Sequence, residues 1–372
     1  MVKIVRHTRF KLDPFGDGGC KRSVQIQELL EKSGMEFVNE NFGLPKGLHL
    51  SQRVKLFVKG LSYVFRGFSL KEIRNLRNMV SMAKYFGLRI PGIVEKYSQK
   101  DVLFVNENTV SGAYGLPYLM KLAGKKVVTL PHNLESFCGG KDVQSGKEAP
   151  YWLYEDIERL KLSDCVFCIS KEETWLLRLF DVNAEYLPYY PPKAVEEYLL
   201  SIRSKRASCE NLESKNCLIL GSATNYPTKK GMEDLLSWFA NYEVLPFDLH
   251  IAGYGTDRLI KIQHPQFHYH GTVDNSVLES LLIESDCMII NQPATSGALT
   301  RIVETLIAGL PIFANLNAAR DCFGTKGVIV FQSFEELMDL LENQTLPRCV
   351  NVPKRNEASE KLFVDMIKHL CV

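Results

Sequence analysis

Apolar and polar positions follow two rhythms along this chain, short β-type runs and longer amphipathic stretches. The apolar runs that predict strands are DVLFVN, KKVVTLP, DCVFCIS, NCLILG, FDLHIAG, DCMIIN and LPIFAN, and the chain opens on a further strand-like segment, Val2 to Val5. Helical patterns separate these runs. Strands that are apolar on both faces and alternate with helices are typical of parallel sheets covered by helices. The pattern therefore predicts doubly wound α/β domains.

The rhythm is interrupted once, between Pro188 and Asn216, where three prolines are followed by the polar stretch SIRSKRASCENLESKN. A chain of 372 residues also exceeds the usual size of a single domain. We therefore predict an N-terminal domain over residues 1–190, a linker over 191–215, a C-terminal domain over 216–354 and a final helical segment over 355–372.

The composition, 45% hydrophobic and 24% charged with a net charge of +2, is that of an ordinary globular protein and predicts no nucleic-acid partner. The sequence has no run of about 18 apolar residues and begins on a strand instead of an export signal, so we expect a cytoplasmic protein. Its ten cysteines lack a regular framework and are expected to be reduced. Cys165 and Cys168 lie in a strand pattern and point to opposite faces, which disfavours a metal or redox pair.

The segment SGALTRIVETLIAGLPIFAN, residues 296–315, is the most informative for chemistry. A strand followed by a loop of small residues and a helix offers free backbone N–H groups to a phosphate. Arg301 and Glu304 lie on one face of that helix. The cation can neutralise a diphosphate, and the carboxylate can accept hydrogen bonds from ribose hydroxyls. The alternative is an exposed helical ion pair between the two.

This segment resembles the donor-binding helix of the retaining GT-B glycosyltransferases, the large family that includes sucrose synthase and the mannosyltransferases. In that family a Glu-x7-Glu pair precedes an Ala-x-Gly-x-Pro strand entry. Here the second carboxylate is Glu304 and the strand entry is Ala308 to Pro311, but the first carboxylate position is Ser296. The departure removes a group that approaches the sugar hydroxyls in the family.

Other segments resemble the same family in the expected order. LGSATNYPTKKG is similar to the opening strand and loop of the second domain, with Lys230 where a lysine meets the donor phosphates and Asn225 in place of an arginine. IAGYG and HYHGTVDNSVLES are similar to loops that follow. The resemblance implies catalytic roles for Lys230 and Arg301. It implies a donor site formed by Glu304, Ser296, Gly297, Ala298, Leu299, Thr300, Gly253, Gly255 and Gly271.

Gly18 and Gly19 in the N-terminal half open an amphipathic helix with Val24, Leu29 and Leu30 on its inner side. A glycine turn there lets the backbone approach a ligand, and we count both glycines among the donor-binding candidates. The alternative is a tight turn without a ligand. The spacing is not Gly-x-Gly-x-x-Gly, which disfavours a dinucleotide-binding oxidoreductase.

His132 follows the apolar run KKVVTLP, at the position where open α/β sheets bind ligands. It resembles the family's strand-end histidine, which faces the sugar across the cleft, and the resemblance implies a catalytic role. A neutral imidazole there could hydrogen-bond the sugar or polarise the acceptor. The alternative is a capping or core histidine.

Residues 53–100 form a locally basic region, with eleven Lys or Arg against Glu72 and Glu95 and with several aromatic and aliphatic residues between them. Such a region suits an anionic membrane surface that carries a lipid-linked acceptor. The alternative is a solvated helix face over a core.

The resemblance implies the GT-B fold, two Rossmann-like doubly wound domains facing across a cleft. It implies transfer of a sugar from a nucleotide-sugar donor to a glycan or lipid-linked acceptor with retention, as in polysaccharide biosynthesis. The absence of Asp-x-Asp from the sequence predicts no metal, and we expect no cofactor. The alternatives are an inverting transferase, an epimerase, or a non-catalytic GT-B homologue that acts as a partner subunit.

Overall fold

The structure, a computed structural model, describes residues 3–40, 47–68, 73, 76–89, 96–97, 101–107, 115–134, 136, 153–209, 215–259 and 261–371. These residues form two compact units, which are described separately. The first unit comprises the described residues up to Leu134, those from 153 to Pro188 and those from Asn356 onward. The second comprises Ser136 and the described residues from Tyr189 to Arg355.

The first unit contains a parallel sheet with the strand order β2-β1-β3-β4-β5-β6. Its strands are β1 (Ile4–His7), β2 (Phe37–Asn39), β3 (Leu103–Asn106), β4 (Lys126–Thr129), β5 (Cys165–Cys168) and β6 (Ala184–Tyr186). Its helices are α1 (Gly18–Lys32), α2 (Leu50–Gly67), α3 (Leu76–Lys84) with a π-helical turn (Tyr85–Arg89), α4 (Gly115–Leu122), α5 (Leu153–Leu160), α6 (Lys171–Leu179) and α13 (Glu357–Leu370).

Helices cover both faces of this sheet, which explains why its central strands are apolar throughout. On one face, Leu29 of α1 and Phe363 of α13 pack in one cluster with Leu103. On the other, Val64 of α2 packs in a cluster with Phe104. The expected helix after Gly18 is therefore present, although Val24 is only half-buried. The buried residues of this helix are Arg22, Ser23, Gln25, Ile26, Leu29 and Leu30.

The second unit contains a parallel sheet with the strand order β12-β11-β10-β7-β8-β9. Its strands are β7 (Asn216–Leu220), β8 (Asp248–Ala252), β9 (Phe267–Gly271), β10 (Cys287–Ile290), β11 (Ile312–Asn315) and β12 (Val328–Phe331). Its helices are α7 (Lys193–Ser208), α8 (Tyr226–Phe239), α9 (Asn275–Glu284), α10 (Thr300–Ile307), α11 (Leu316–Ala319) and α12 (Phe334–Asn343), with a 3-10 turn (Thr256–Arg258).

Helix α7 occupies much of the segment 191–215, which the sequence predicts as a linker. Val195, Leu199 and Ile202 recur at helical spacing and are buried in one cluster with the strands of the second sheet. The prolines before this helix and the polar residues of its second half suggested an interdomain linker, but the apolar stripe gives the helix a face to bury. The segment is thus largely a helix of the second unit.

In each sheet the strand order reverses once, between β1 and β3 in the first unit and between β7 and β10 in the second. Since all strands are parallel, their carboxyl ends lie at one edge, and the crevice at the reversal is where such sheets bind ligands. Among the described helices, none combines the length and the apolar character needed to cross a bilayer.

Candidate functional site

The side chain of Arg301 lies at the strand-order reversal of the second sheet. Arg301 is in the first turn of α10, after β10, and its guanidinium packs against Gly221, which follows the neighbouring strand β7. A side chain at position 221 would overlap Nη1 of Arg301, so the glycine leaves space for the guanidinium. The same nitrogen lies 3.4 Å from Oγ1 of Thr228 in the first turn of α8.

The positive charge of Arg301 is not compensated by any described residue. Its Nε is buried without a hydrogen-bond partner among them. Burial lowers the pKa of Arg301 to about 10, so the group stays protonated at neutral pH. A buried cation is costly unless an anion or hydrogen bonds accompany it. The surroundings of Arg301 therefore favour an anionic ligand.

Glu304, one turn further along α10, has a different partner. Its Oε1 accepts a hydrogen bond of 2.6 Å from the hydroxyl of Tyr189, a buried residue at the start of the second unit. The alternative of an ion pair between Arg301 and Glu304 is thus not what the structure contains. Tyr189 orients the carboxylate, and nothing in the local sequence around Glu304 pointed to it.

The loop before α10, residues 296–299, is held by Arg320. Nη2 of Arg320 donates to the carbonyl oxygens of Ser296, at 2.7 Å, and of Gly297. Helix α10 follows Leu299, and no side chain caps its first turn. Uncapped N–H groups at a helix N-terminus attract anions. The helix that carries Arg301 begins at Thr300, and the predicted residues Ser296, Gly297, Ala298 and Leu299 lead directly into it.

The three glycines predicted for the donor site, Gly253 and Gly255 after β8 and Gly271 at the end of β9, lie close together. The N–H of Gly253 donates to the carbonyl of Gly271 at 3.0 Å, and the N–H of Gly255 donates to Thr272 Oγ1 at 3.0 Å. Gly253 has a φ of 124°, and the carbonyl of Gly221 occupies the position that its side chain would fill. Only glycine accommodates that approach. The loop after β8 therefore lies directly against Gly221, which in turn contacts Arg301.

Lys230 is exposed and points to a neighbour on its own helix. Its Nζ pairs with Asp234 one turn along α8, and this hydrogen bond raises the pKa of Lys230. Lys229 lies 3.6 Å from Glu233 in the same arrangement. Both lysines thus have carboxylate partners that Arg301 lacks. A phosphate role for Lys230 requires that its side chain leave Asp234.

In the first unit, Gly19 makes room for an aromatic ring that stacks on His132. A side chain at position 19 would overlap the ring of Phe10. That ring stacks on the imidazole of His132 with centroids 4.2 Å apart. Gly18 begins α1, and Asp17 caps the helix by accepting a hydrogen bond of 2.9 Å from the N–H of Cys20. The glycine turn therefore positions Phe10 and His132 at the carboxyl edge of the sheet.

Beside His132 lies a buried ion pair that sequence reasoning missed. Glu107 follows β3, and its Oε1 is 2.5 Å from Nε of Arg6 in the neighbouring strand β1, with both side chains fully buried. Its Oε2 accepts a hydrogen bond from the hydroxyl of Ser23 in α1. The signal available in the sequence was an arginine inside an apolar strand, which must find a partner when buried.

Glu107 also faces His132, whose Nε2 lies 3.5 Å from its Oε2. Burial lowers the pKa of His132 despite the nearby carboxylate. Burial would raise the pKa of Glu107, but Arg6 and His132 outweigh it and lower that pKa to about 2. At neutral pH the site therefore holds an ionised Glu107 and a neutral imidazole, so His132 is available as a hydrogen-bonding group.

Solved structures similar to this chain cover almost its whole length. HepE from Anabaena, in complex with UDP, has a TM-score of 0.55 and 10% identity, with 100% of this chain and 97% of that chain covered. Sucrose-phosphate synthase from Thermosynechococcus elongatus has a TM-score of 0.56 and 13% identity, with 99% and 94% covered. The α,α-trehalose 6-phosphate synthase from Burkholderia multivorans has a TM-score of 0.59 and 9% identity, with 100% and 93% covered.

No protein-family model matches the sequence, and no curated protein matches it. At 9–13% identity, the likeness to these structures establishes the fold alone. That fold is the two-domain, Rossmann-like α/β architecture of GT-B proteins, and the fold class predicted from the sequence is confirmed.

Proposed function

We propose that this protein is a glycosyltransferase that moves a sugar from a nucleotide-sugar donor to a glycan or lipid-linked acceptor. The observation that carries the proposal is Arg301 at the strand-order reversal of the second sheet, whose guanidinium has a buried Nε and no charged partner among the described residues. The similar structures support it, since HepE is described in complex with UDP and with UDP-glucose. A nucleoside diphosphate supplies the anion that the surroundings of Arg301 favour.

In this proposal the second unit binds the donor. Arg301 and the uncapped N-terminus of α10 bind the diphosphate, and the carboxylate of Glu304 accepts hydrogen bonds from the ribose hydroxyls. Charge develops on the diphosphate as the sugar leaves, so Arg301 stabilises the transition state more than the bound donor. The departing diphosphate accepts the acceptor's proton, and the anomeric configuration is retained. No metal ion is needed, because the protein supplies the positive charge.

The first unit provides the acceptor side, with His132 as the group that contacts the sugar or the acceptor. Its neutral imidazole is held between the ring of Phe10 and the carboxylate of Glu107. We place the protein in the cytoplasm, peripheral to the inner face of a membrane, and in the synthesis of a polysaccharide.

For His132→Ala we expect a folded protein whose transfer rate falls further than its donor affinity. The imidazole is at the surface of the Arg6–Glu107 pair and is not part of it, so the pair survives the change. Loss of a contact made in the transition state lowers kcat, whereas loss of shared binding raises KM. Steady-state kinetics and circular dichroism of the variant provide the test. An unfolded variant, or one with unchanged kcat, would mean that His132 only caps the strand or fills the core.

A non-catalytic GT-B homologue is the second candidate, and two observations favour it. Ser296 stands where the resembled family has a carboxylate, and Lys230 pairs with Asp234. The test is the incubation of the purified chain with UDP-, GDP- and ADP-sugars and candidate acceptors, followed by analysis of the product anomer. Transfer with retention supports the proposal, inversion or epimerisation replaces it with another GT-B chemistry, and binding without turnover supports the homologue.

For Glu304→Ala we expect a ten- to hundredfold loss of donor affinity with little change in fold stability. A charge-assisted hydrogen bond contributes about 1.5–3 kcal/mol to binding. Nucleoside diphosphate and nucleoside monophosphate both contain ribose. Calorimetric titrations should therefore show the same loss of affinity for the two ligands.

The matched control is Glu284→Ala, which removes an exposed carboxylate from α9 in the same unit. It should bind both nucleotides like the wild type. Tyr189→Phe should weaken both ligands by a smaller factor, because the carboxylate remains but loses the hydroxyl that orients it. Wild-type affinity in Glu304→Ala would place the donor elsewhere.

A further inference from the structure

Helix α2 of the first unit has one face fixed against its neighbours and one face that no described residue covers. Gly60 packs so closely on the carbonyl of Ala83 that a side chain there would overlap it, and Gly87 packs in the same way on the carbonyl of Leu56. Val64, one turn after Gly60, is fully buried. These close approaches between α2 and the α3 region determine which side of α2 faces outward.

The outward side of α2 carries an apolar stripe. Its members, spaced four or seven residues apart and therefore aligned along the helix, are exposed to the following extents: Leu50 78%, Val54 54%, Val58 58% and Phe65 58%. Leu61, half-buried, lies in the gap between Val58 and Phe65. Single exposed apolar residues are ordinary, but a contiguous row of them marks a surface that binds a protein, a membrane or a ligand.

Basic residues accompany the stripe. Helix α2 contains Arg53, Lys55, Lys59 and Arg66, all exposed, and no acidic residue. None of the four forms an ion pair with a described residue. Lys55, Lys59 and Arg66 recur at four- and seven-residue spacing and so form a second row beside the apolar one. The outward surface thus combines apolar side chains with positive charge that no acidic residue in the described part of the chain neutralises.

We infer that α2 is an interfacial helix that lies in the plane of an anionic membrane, with its apolar stripe among the acyl chains and its lysines and arginines at the lipid phosphates. Amphipathic helices of this kind insert about 5–10 Å into the headgroup region. A solvated helix face, the alternative left open by the sequence, would not explain why four large apolar side chains are exposed in one row beside the basic one. The inference rests on the proposed membrane-held acceptor and assigns two separate parts to the surface, an inserted row and a charged row.

The earlier expectation covered all of residues 53–100. Lys71, Arg74 and Lys100 lie outside the described residues, as do Glu72 and Glu95. The inference is therefore confined to α2, where every residue is described and the apolar and basic rows can be separated by substitution.

The test compares three variants in sedimentation with vesicles of phosphatidylcholine alone or with 30 mole per cent phosphatidylglycerol, a composition chosen to be about as anionic as a cytoplasmic leaflet. Val54→Ser with Val58→Ser and Phe65→Ser should lower partitioning at least a hundredfold at every salt concentration. Lys55→Gln with Lys59→Gln and Arg66→Gln should lower it about a hundredfold at low salt, and less at high salt. The control, Trp175→Ser with Leu179→Ser, removes exposed apolar residues from α6 of the same unit and should partition like the wild type.

A fourth variant, Phe65→Trp, reports depth, since its fluorescence should be quenched by brominated acyl chains and protected from a water-soluble quencher. Calorimetric titration of all variants with UDP, GDP and ADP separates the two hypotheses, because α2 is not in the unit that binds the donor. Intact nucleotide binding with no vesicle partitioning overturns the inference alone. Partitioning that survives the apolar substitutions, or association of α2 with an acidic protein in the absence of vesicle binding, also overturns it. Absence of binding to UDP, GDP and ADP alike tells against the proposed function and leaves the vesicle result to decide the inference.

Discussion

Arg301→Ala is expected to lower the rate of sugar transfer by about a hundred- to a thousandfold, the typical cost of removing one preorganised group that stabilises charge in a transition state. The guanidinium is already in place against Gly221, with its Nε buried and no compensating carboxylate among the described residues, so no reorganisation precedes its use. Donor affinity should fall less than kcat, because the charge on the diphosphate is greatest as the sugar leaves. Single-turnover kinetics with saturating donor measure the two effects separately.

Two further variants sharpen this prediction. Arg258→Ala removes an exposed arginine from the same unit and should leave kcat unchanged. Arg301→Lys keeps a charge but not the planar fork, and it should recover only part of the rate. In calorimetry, Arg301→Ala should weaken nucleoside diphosphate more than nucleoside monophosphate, the opposite of the even loss expected for Glu304→Ala. A wild-type kcat in Arg301→Ala would remove the observation on which the proposed function rests.

Glu107→Ala is expected to destabilise the first unit by about 3–5 kcal/mol, since it leaves the buried guanidinium of Arg6 without its counter-charge. The carbonyl of Ser23, which also accepts from Arg6 at 2.5 Å, cannot replace a carboxylate. Hydrogen exchange of the β1 and β3 amides at increasing urea concentration measures the unfolding free energy of the first unit separately from that of the second. The control is Glu158→Ala, which breaks a half-exposed pair with Lys161 in the same unit and should cost at most about 1 kcal/mol.

The same pair predicts a pH dependence with a definite sign. Arg6 and His132 hold the pKa of Glu107 near 2, below the value of about 4.3 expected in the unfolded chain. The contribution of Glu107 to stability is therefore complete above that unfolded value and is lost as the pH falls toward 2. Glu107→Ala should lack this acid-dependent part of the unfolding curve, and equal acid sensitivity in variant and wild type would contradict the pairing.

The strands that the sequence revealed and those that it did not reveal differ in one physical respect. The apolar runs predict the inner strands of both sheets, which are buried on two faces and need side chains that are apolar throughout. The missed strands are β2 and β6 in the first unit and β9 and β12 in the second, and these are the four edges of the two sheets. An edge strand is partly solvated, so β9, with the sequence FHYHG, mixes polar and apolar residues and gives no continuous run. Solvation does not explain why β12 was missed, because its sequence VIVF is apolar throughout.

The candidate site divides along a similar line. Arg301 and Glu304 could be predicted because their helix, the preceding loop and the following strand are contiguous in sequence. The hydrogen bond of Tyr189 to Glu304 and the pairing of Arg6 with Glu107 join residues more than a hundred positions apart, and local patterns do not encode such pairs. Lys230 differs from these pairs, because its partner Asp234 is only one turn further along the same helix. Its position in the resembled motif suggested a phosphate contact and did not reveal this ion pair.

The return of the chain to the first unit through α13 has a consequence for biosynthesis. A nascent chain that has emerged as far as Arg355 carries all the described strands of both sheets, and the second unit, which ends at Arg355, can already bury its core. The first unit cannot, because Phe363 and Ile367 belong to the cluster formed by Ile4, Leu103 and Phe167. Until α13 leaves the ribosome, that apolar face stays uncovered and open to chaperones and to aggregation. The half that is translated first is therefore the half that finishes folding last.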